Sequence, residues 1–99
     1  MYAVIWEYQV EPAEAARFEA MYGPQGEWVA LFRAWPGYRG TELLRDDGDR
    51  YVTIDRWDSR EAYETFQQHA ASDYARIDAL GDALTLDERR IGAYTLASP

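Results

Sequence analysis

The sequence predicts an α+β fold in the order β-α-β-β-α-β, with a four-stranded antiparallel sheet. Three observations carry that expectation. Residues 50–57 alternate with a period of two, Val52 and Ile54 against Tyr51, Thr53, Asp55 and Trp57. Directly after Trp57 the apolar positions fall at Ala62, Tyr63, Phe66 and Ala70, which is helical spacing. The same strand-then-helix sequence opens the chain, where residues 2–10 alternate and Pro12 follows at a first helical position.

Taken in order, the first strand spans 2–10, and its even positions Tyr2, Val4, Trp6, Tyr8 and Val10 make one apolar face. Ala3 and Ile5 extend apolar character to the other side, so the strand is expected to be covered on both faces. The helix opened by Pro12 buries Phe18, Met21 and Tyr22 and stops at Gly23-Pro24. A second helical piece places Trp28, Leu31, Phe32 and Trp35 on one side, and Pro36-Gly37 ends it. The second strand covers 38–45. Asp46-Asp47-Gly48-Asp49 is a hairpin tip, and it lacks the further ligands of a calcium loop. The third strand is 50–57. Its helix is expected to begin near Asp58, since Asp58 and Glu61 have capping-box spacing. It continues, whole or broken, to about Leu80 and carries Tyr74, Ile77 and Leu80, with Gly81 ending it. Residues 82–88 are irregular, and 89–96 form the fourth strand. This is the ferredoxin-like plan over a single domain, 1–99. Both helices then lie on one sheet face. The other face is left bare, is expected to carry aromatics, and is expected to be covered by a second copy of the chain.

The 99 residues suffice for one modest core. A net charge of −8 argues against nucleic acid and anionic membrane as partners. No apolar run reaches the ~20 residues of a membrane span, and the N-terminal residues read as a strand, so a cytoplasmic protein is expected. No cysteine is present, so disulfide and thiolate chemistry are excluded. Four tryptophans, eight tyrosines and three phenylalanines suggest that some rings line a cavity or interface.

Residues 57–63 (WDSREAY) with Phe66, residues 37–41 (GYRGT), and residues 84–88 (LTLDE) with Ile91-Gly92 resemble the antibiotic biosynthesis monooxygenase family. The resemblance covers nearly the whole chain. It implies a homodimeric α+β barrel, and oxidation of an aromatic, quinol- or polyketide-like molecule without a cofactor. Anthrone-oxidising members carry an asparagine on the third strand, a tryptophan four residues later and a tyrosine six after that. Trp57 and Tyr63 match the last two, and Thr53 stands in the asparagine's place. Arg76 is the counterpart of an arginine on the second helix. Haem-degrading members need an asparagine, a tryptophan and a histidine where this chain has Trp6, Phe66 and Ile77 or Asp78, which leaves iron without an axial imidazole.

Such an oxidation needs an ionised substrate in a dry site with neutral donors for its oxyanion. Trp57, Tyr63 and Thr53 are candidate donors. Period two places Asp55 on the same face, where a carboxylate on an apolar surface has a raised pKa and can act as base. Each residue also has a plainer role. Asp55 can pair with Arg45, Arg90 or a partner's Arg56. Trp57 can anchor the strand–helix corner. Tyr63 can pack in the core with its hydroxyl on a polar partner. Trp6 and Tyr8 can stack on a flat ligand or only fill space. The sole histidine, His69, reads as a packing residue. No His/Cys pair supports a metal. The alternative function is a non-catalytic small-ligand or stress-related barrel.

Overall fold

The computed structural model describes residues 1–98. Strands β1 (Tyr2–Val10), β2 (Tyr38–Arg45), β3 (Arg50–Trp57) and β4 (Thr85–Thr95) form one antiparallel sheet in the order β2-β3-β1-β4. A short 3₁₀ turn (Pro12–Glu14) leads into α1 (Ala15–Tyr22), which is followed by α2 (Glu27–Arg33). Helices α3 (Arg60–His69) and α4 (Ala71–Asp82) connect β3 to β4. The ferredoxin-like order expected from alternation and helical spacing is the order observed. No helix is long and apolar enough to cross a membrane.

The core lies between the sheet and the helices. Register places Tyr2 opposite Trp57, Val4 opposite Asp55, Trp6 opposite Thr53 and Tyr8 opposite Tyr51. These residues share the helix-covered face. Phe18 stacks on Tyr22 at 4.1 Å and meets Tyr8 at 5.2 Å, and Phe32 meets Trp57 at 5.7 Å. The aromatic face of β1 is therefore the covered one. The expectation that the bare face carries the aromatics is corrected: that face presents Ile5 opposite Ile54, Val52 opposite Leu44, and Ala3 opposite Tyr94. Ion pairs Arg56–Glu42 and Arg89–Glu7 flank these residues. One ring on it, Tyr94, is half exposed.

Four local expectations also change. Ser59, not Asp58, caps α3, accepting from the Ala62 amide at 3.1 Å. The Asp58 carboxylate pairs with Arg39 instead. The helical stretch takes the broken form, parted at Ala70 into α3 and α4, but Gly81 lies inside α4 rather than ending it. Gly81 is needed for close approach: a Cβ there would stand 2.1 Å from the Tyr22 hydroxyl oxygen. Leu80, expected on the buried stripe, is 54% exposed, while Ile77 is buried. Finally, β4 starts at Thr85 rather than 89, because β1 is long enough to pair with it along its whole length, from Tyr2↔Thr95 to Val10↔Thr85. The pairing absorbs two register shifts that leave Leu86 and Ile91 unpaired. The second of these adjoins Trp6.

Candidate active site

Under the helices the middle of the sheet is not packed shut. A narrow cleft, with a cavity volume of about 30 Å³, has Trp6, Tyr8, Thr41, Thr53, Asp55 and Glu88 on the sheet side. Tyr22, Trp28, Phe32, Tyr74 and Asp78 close it from the helices. Strand geometry explains the floor. Thr53 and Asp55 are two apart on β3 and so point the same way. Thr41 stands directly opposite Asp55, and Trp6 opposite Thr53. Of the residues expected on one cavity face, Trp6, Tyr8, Thr53 and Asp55 line this cleft and Trp57 does not.

Asp55 is the chemically distinct group. Its carboxyl is closely surrounded by protein while keeping some surface open to the cleft. Among the described residues it has no cationic partner: Arg45 pairs with Glu19 and Asp49, and Arg56 with Glu42. Arg90 makes no ion pair with it. Burial raises its pKa to about 6, and the hydrogen bond from Thr41 opposes that rise. The Thr41 hydroxyl donates to Asp55 Oδ1 at 2.7 Å. With its one hydrogen so used, Thr41 accepts from the Tyr38 hydroxyl, also at 2.7 Å. Tyr38 and Thr41 both border a shallow outer depression that includes Arg33 and Arg39. A chain of hydroxyls thus leads from the buried carboxylate to the exterior. When Asp55 takes up a proton it becomes a donor, and the chain can reverse.

The tyrosines around the cleft are neutral donors rather than acids or bases. Burial drives the Tyr8 and Tyr74 hydroxyls far above the ordinary tyrosine range, and takes Tyr22 up to about 12. Tyr8 Oη and Thr53 Oγ1 lie 3.2 Å apart. Trp28 is buried, and its indole N–H lies near the Tyr22 hydroxyl without a hydrogen bond of good geometry.

Three candidates lie elsewhere. Trp57 is fully buried among Phe32, Tyr38, Tyr63 and Phe66, at centroid distances of 5.1–5.8 Å. It does not line the cleft, and its N–H is buried without a partner. Its position is that of an anchor for the strand–helix corner. Tyr63 packs at a tilt against Tyr2 and edge-to-face against Trp57, and its hydroxyl accepts from Gln67 at 2.7 Å. Arg76 is exposed and lies 3.8 Å from Asp73. Residues that alternation alone does not find are Thr41, Tyr22, Trp28, Phe32, Tyr74, Asp78 and Glu88. Thr41 needed the β2–β3 register, and the rest needed the packing of the helices over the sheet. His69 stacks on Trp35 at 6.2 Å, away from the cleft.

Comparison with known proteins agrees with this fold. The antibiotic biosynthesis monooxygenase family model matches residues 1–76. Among solved structures, SnoaB, a cofactor-independent oxygenase from Streptomyces nogalater, is 22% identical over 99% of this chain and 94% of its own, with a TM-score of 0.73. A Bordetella bronchiseptica protein assigned to the same family is 22% identical over 98% of this chain and 97% of its own, with a TM-score of 0.73. One from Nitrosomonas europaea is 16% identical over 99% and 100%, with a TM-score of 0.71. These likenesses establish the fold. No curated protein matches the chain by sequence.

Proposed function

Since the chain belongs to the antibiotic biosynthesis monooxygenase family, we propose that it is a cofactor-independent monooxygenase for a small aromatic phenol or enol, quinol-like or polyketide-like, bound in the cleft over Thr53 and Asp55. The observation that carries this reading is Asp55, a carboxylate without a cation, raised to about 6 inside an aromatic cleft. Above that pH it is an ionised base in a site with little water, close to where a ring could lie. It removes a proton from the activated carbon or phenol. The resulting anion passes one electron to O₂, and the radical pair combines as a peroxide. Loss of water leaves a carbonyl. For a CH₂ group, one oxygen atom ends in the new C=O and the other leaves as water with both hydrogens. Asp55 returns that proton to the peroxide anion, which lets water leave, and the hydroxyls of Thr41 and Tyr38 hold the carboxyl in place meanwhile. Neutral hydroxyl donors on the cleft wall, Tyr8 with Thr53, suit the oxyanion. Trp57 and Tyr63 then act through packing, holding β3 and α3 in place, and Arg76 remains a surface residue.

The active form in this reading is a homodimer. The face away from the helices carries Ile5, Val52, Ile54, Leu44 and Tyr94 in one patch, which a second copy would cover. Light scattering should give a dimer mass, and Ile54→Asp should give a monomer. A dimer unchanged by that substitution contradicts this assignment of the interface.

The test of the activity is oxygen uptake with a panel of anthrones and naphthols, without flavin or metal. Turnover above background that falls in Asp55→Asn supports the reading. No turnover across the panel removes it for that substrate class. The narrowness of the cleft favours a second reading, a barrel that only holds a small ligand. Ligand binding in the cleft without oxygen uptake would support it.

A further inference from the structure

Thr41 borders two spaces of unequal size. The cleft has about 30 Å³, room for about two water molecules. A substrate whose reacting edge reaches Asp55 therefore extends outside it. The outer depression has about 380 Å³. Pro24, Val29 and the Tyr38 ring give it an apolar side, and Arg33 and Arg39 give it positive charge. Among the described residues no carboxylate lines it, on a chain with 18 acidic and 10 basic residues.

The two arginines are not equivalent. Arg39 is engaged by the Asp58 carboxylate. Arg33, in the last turn of α2, makes no ion pair among the described residues. Its charge reaches the Tyr38 hydroxyl, where it opposes the rise in pKa that burial causes. That hydroxyl donates to Thr41, which donates to Asp55. The free guanidinium and the buried base thus lie at the two ends of one run of side chains. A helix C-terminus favours a cation by itself. That accounts for the charge but not for the half-apolar hollow beside it.

We propose that the outer depression is an anion subsite, in which Arg33 takes the carboxylate of an aromatic acid whose phenol or enol edge points to Asp55. Arg33 is then a specificity-determining residue that binds the substrate and does not react. A guanidinium meets a carboxylate through two parallel N–H donors. Pro24, Val29 and Tyr38 suit the adjoining ring. The inference rests on the oxidation proposed above for Asp55 as the reacting end. It narrows the substrate to phenols or enols that carry a carboxylate.

Binding is measured by calorimetry at pH 8 and low salt, with 2-naphthoate, its neutral isostere 2-naphthamide, and inorganic phosphate. The general field of a chain with net charge −8 disfavours an anion, so a preference for naphthoate requires a local cation. Naphthoate should bind about fivefold more tightly than naphthamide. In Arg33→Gln the preference should fall below about twofold, with the affinity for naphthamide unchanged. Arg17→Gln makes the same change in net charge at an exposed position on α1, and there the preference should persist. Naphthoate that binds no better than naphthamide, a preference untouched by Arg33→Gln, or one lost equally in Arg17→Gln overturns the subsite. Displacement of naphthoate by an equal concentration of phosphate overturns the assignment to an aromatic acid. Oxygen uptake is measured separately, with 6-hydroxy-2-naphthoate against 2-naphthol. Arg33→Gln should raise KM for the acid about fivefold and leave its kcat, and both constants for 2-naphthol, unchanged. No turnover of either compound with the naphthoate preference intact removes the oxidation and leaves the subsite. Turnover of both that Arg33→Gln does not alter removes the subsite and leaves the oxidation.

Discussion

One face of β3 carries Tyr51, Thr53, Asp55 and Trp57, and its ends differ from its middle. Tyr51 and Trp57 are shut in, Tyr51 with its hydroxyl on Glu19 and Trp57 within four rings. Thr53 and Asp55 open on the cleft. The four residues share one strand and one direction, so the difference comes from what lies above them. Over the ends, α1 and α3 press large side chains onto the sheet. Over the middle, α2 and α4 leave a gap whose walls are rings and acids. Side-chain alternation therefore identifies a face, and helix packing decides which part of that face can meet a ligand.

Five substitutions at four positions probe this contrast, in descending order of effect. Asp55→Asn removes the base, and turnover in oxygen-uptake assays should fall by about 10²- to 10⁴-fold. Unfolding experiments on the same variant should show added stability at pH 8, on the order of 2 kcal/mol. The sign follows from the raised pKa: folding favours the protonated acid, so the wild-type protein loses stability as pH rises from about 4 through about 6, and the variant is spared that loss. Trp57→Ala should cost about 3–5 kcal/mol in denaturant titration, because it empties a packed corner. Trp57→Phe should keep turnover within about threefold of wild type, as an anchor outside the cleft requires. A collapse of activity in a well-folded Trp57→Phe protein would break the contrast. Thr41→Val deletes the hydrogen bond that holds the Asp55 pKa down, so the acid limb of the pH–rate profile should move above about 6, with turnover near neutral pH down roughly tenfold. Arg76→Ala, on the exposed side of α4, should leave both turnover and stability within assay error.

Much of the fold was legible because its signals are local. β1, β2 and β3 were readable from alternation and turn residues, and α1 from Pro12 and Gly23. The second half was less so. Gly81 reads as a helix end, yet it is a contact point for the Tyr22 hydroxyl, and that contact joins residues far apart in sequence. β4 extends back to Thr85 because β1 offers it partners there, which composition does not announce. In the site, Asp55, Thr53, Trp6 and Tyr8 were readable from period two alone. Thr41 was not, since its place depends on β2–β3 register. The family likeness pointed to Trp57 and Tyr63, and both hold the corner beside the cleft rather than lining it. The expected aromatic bare face was inverted, because rings on an alternating strand look alike from either side until the helices are placed.

The central claim is that the buried Asp55 carboxylate performs proton removal. It is tested most directly by the pH dependence of kcat/KM for oxygen uptake with a turned-over naphthol or anthrone, in wild type and in Asp55→Asn. A wild-type rate that rises with pH through an apparent pKa of about 6 and levels off, with that limb absent from a variant of greatly reduced rate, is the predicted result. An Asp55→Asn protein that keeps the wild-type rate and the same limb would contradict the account.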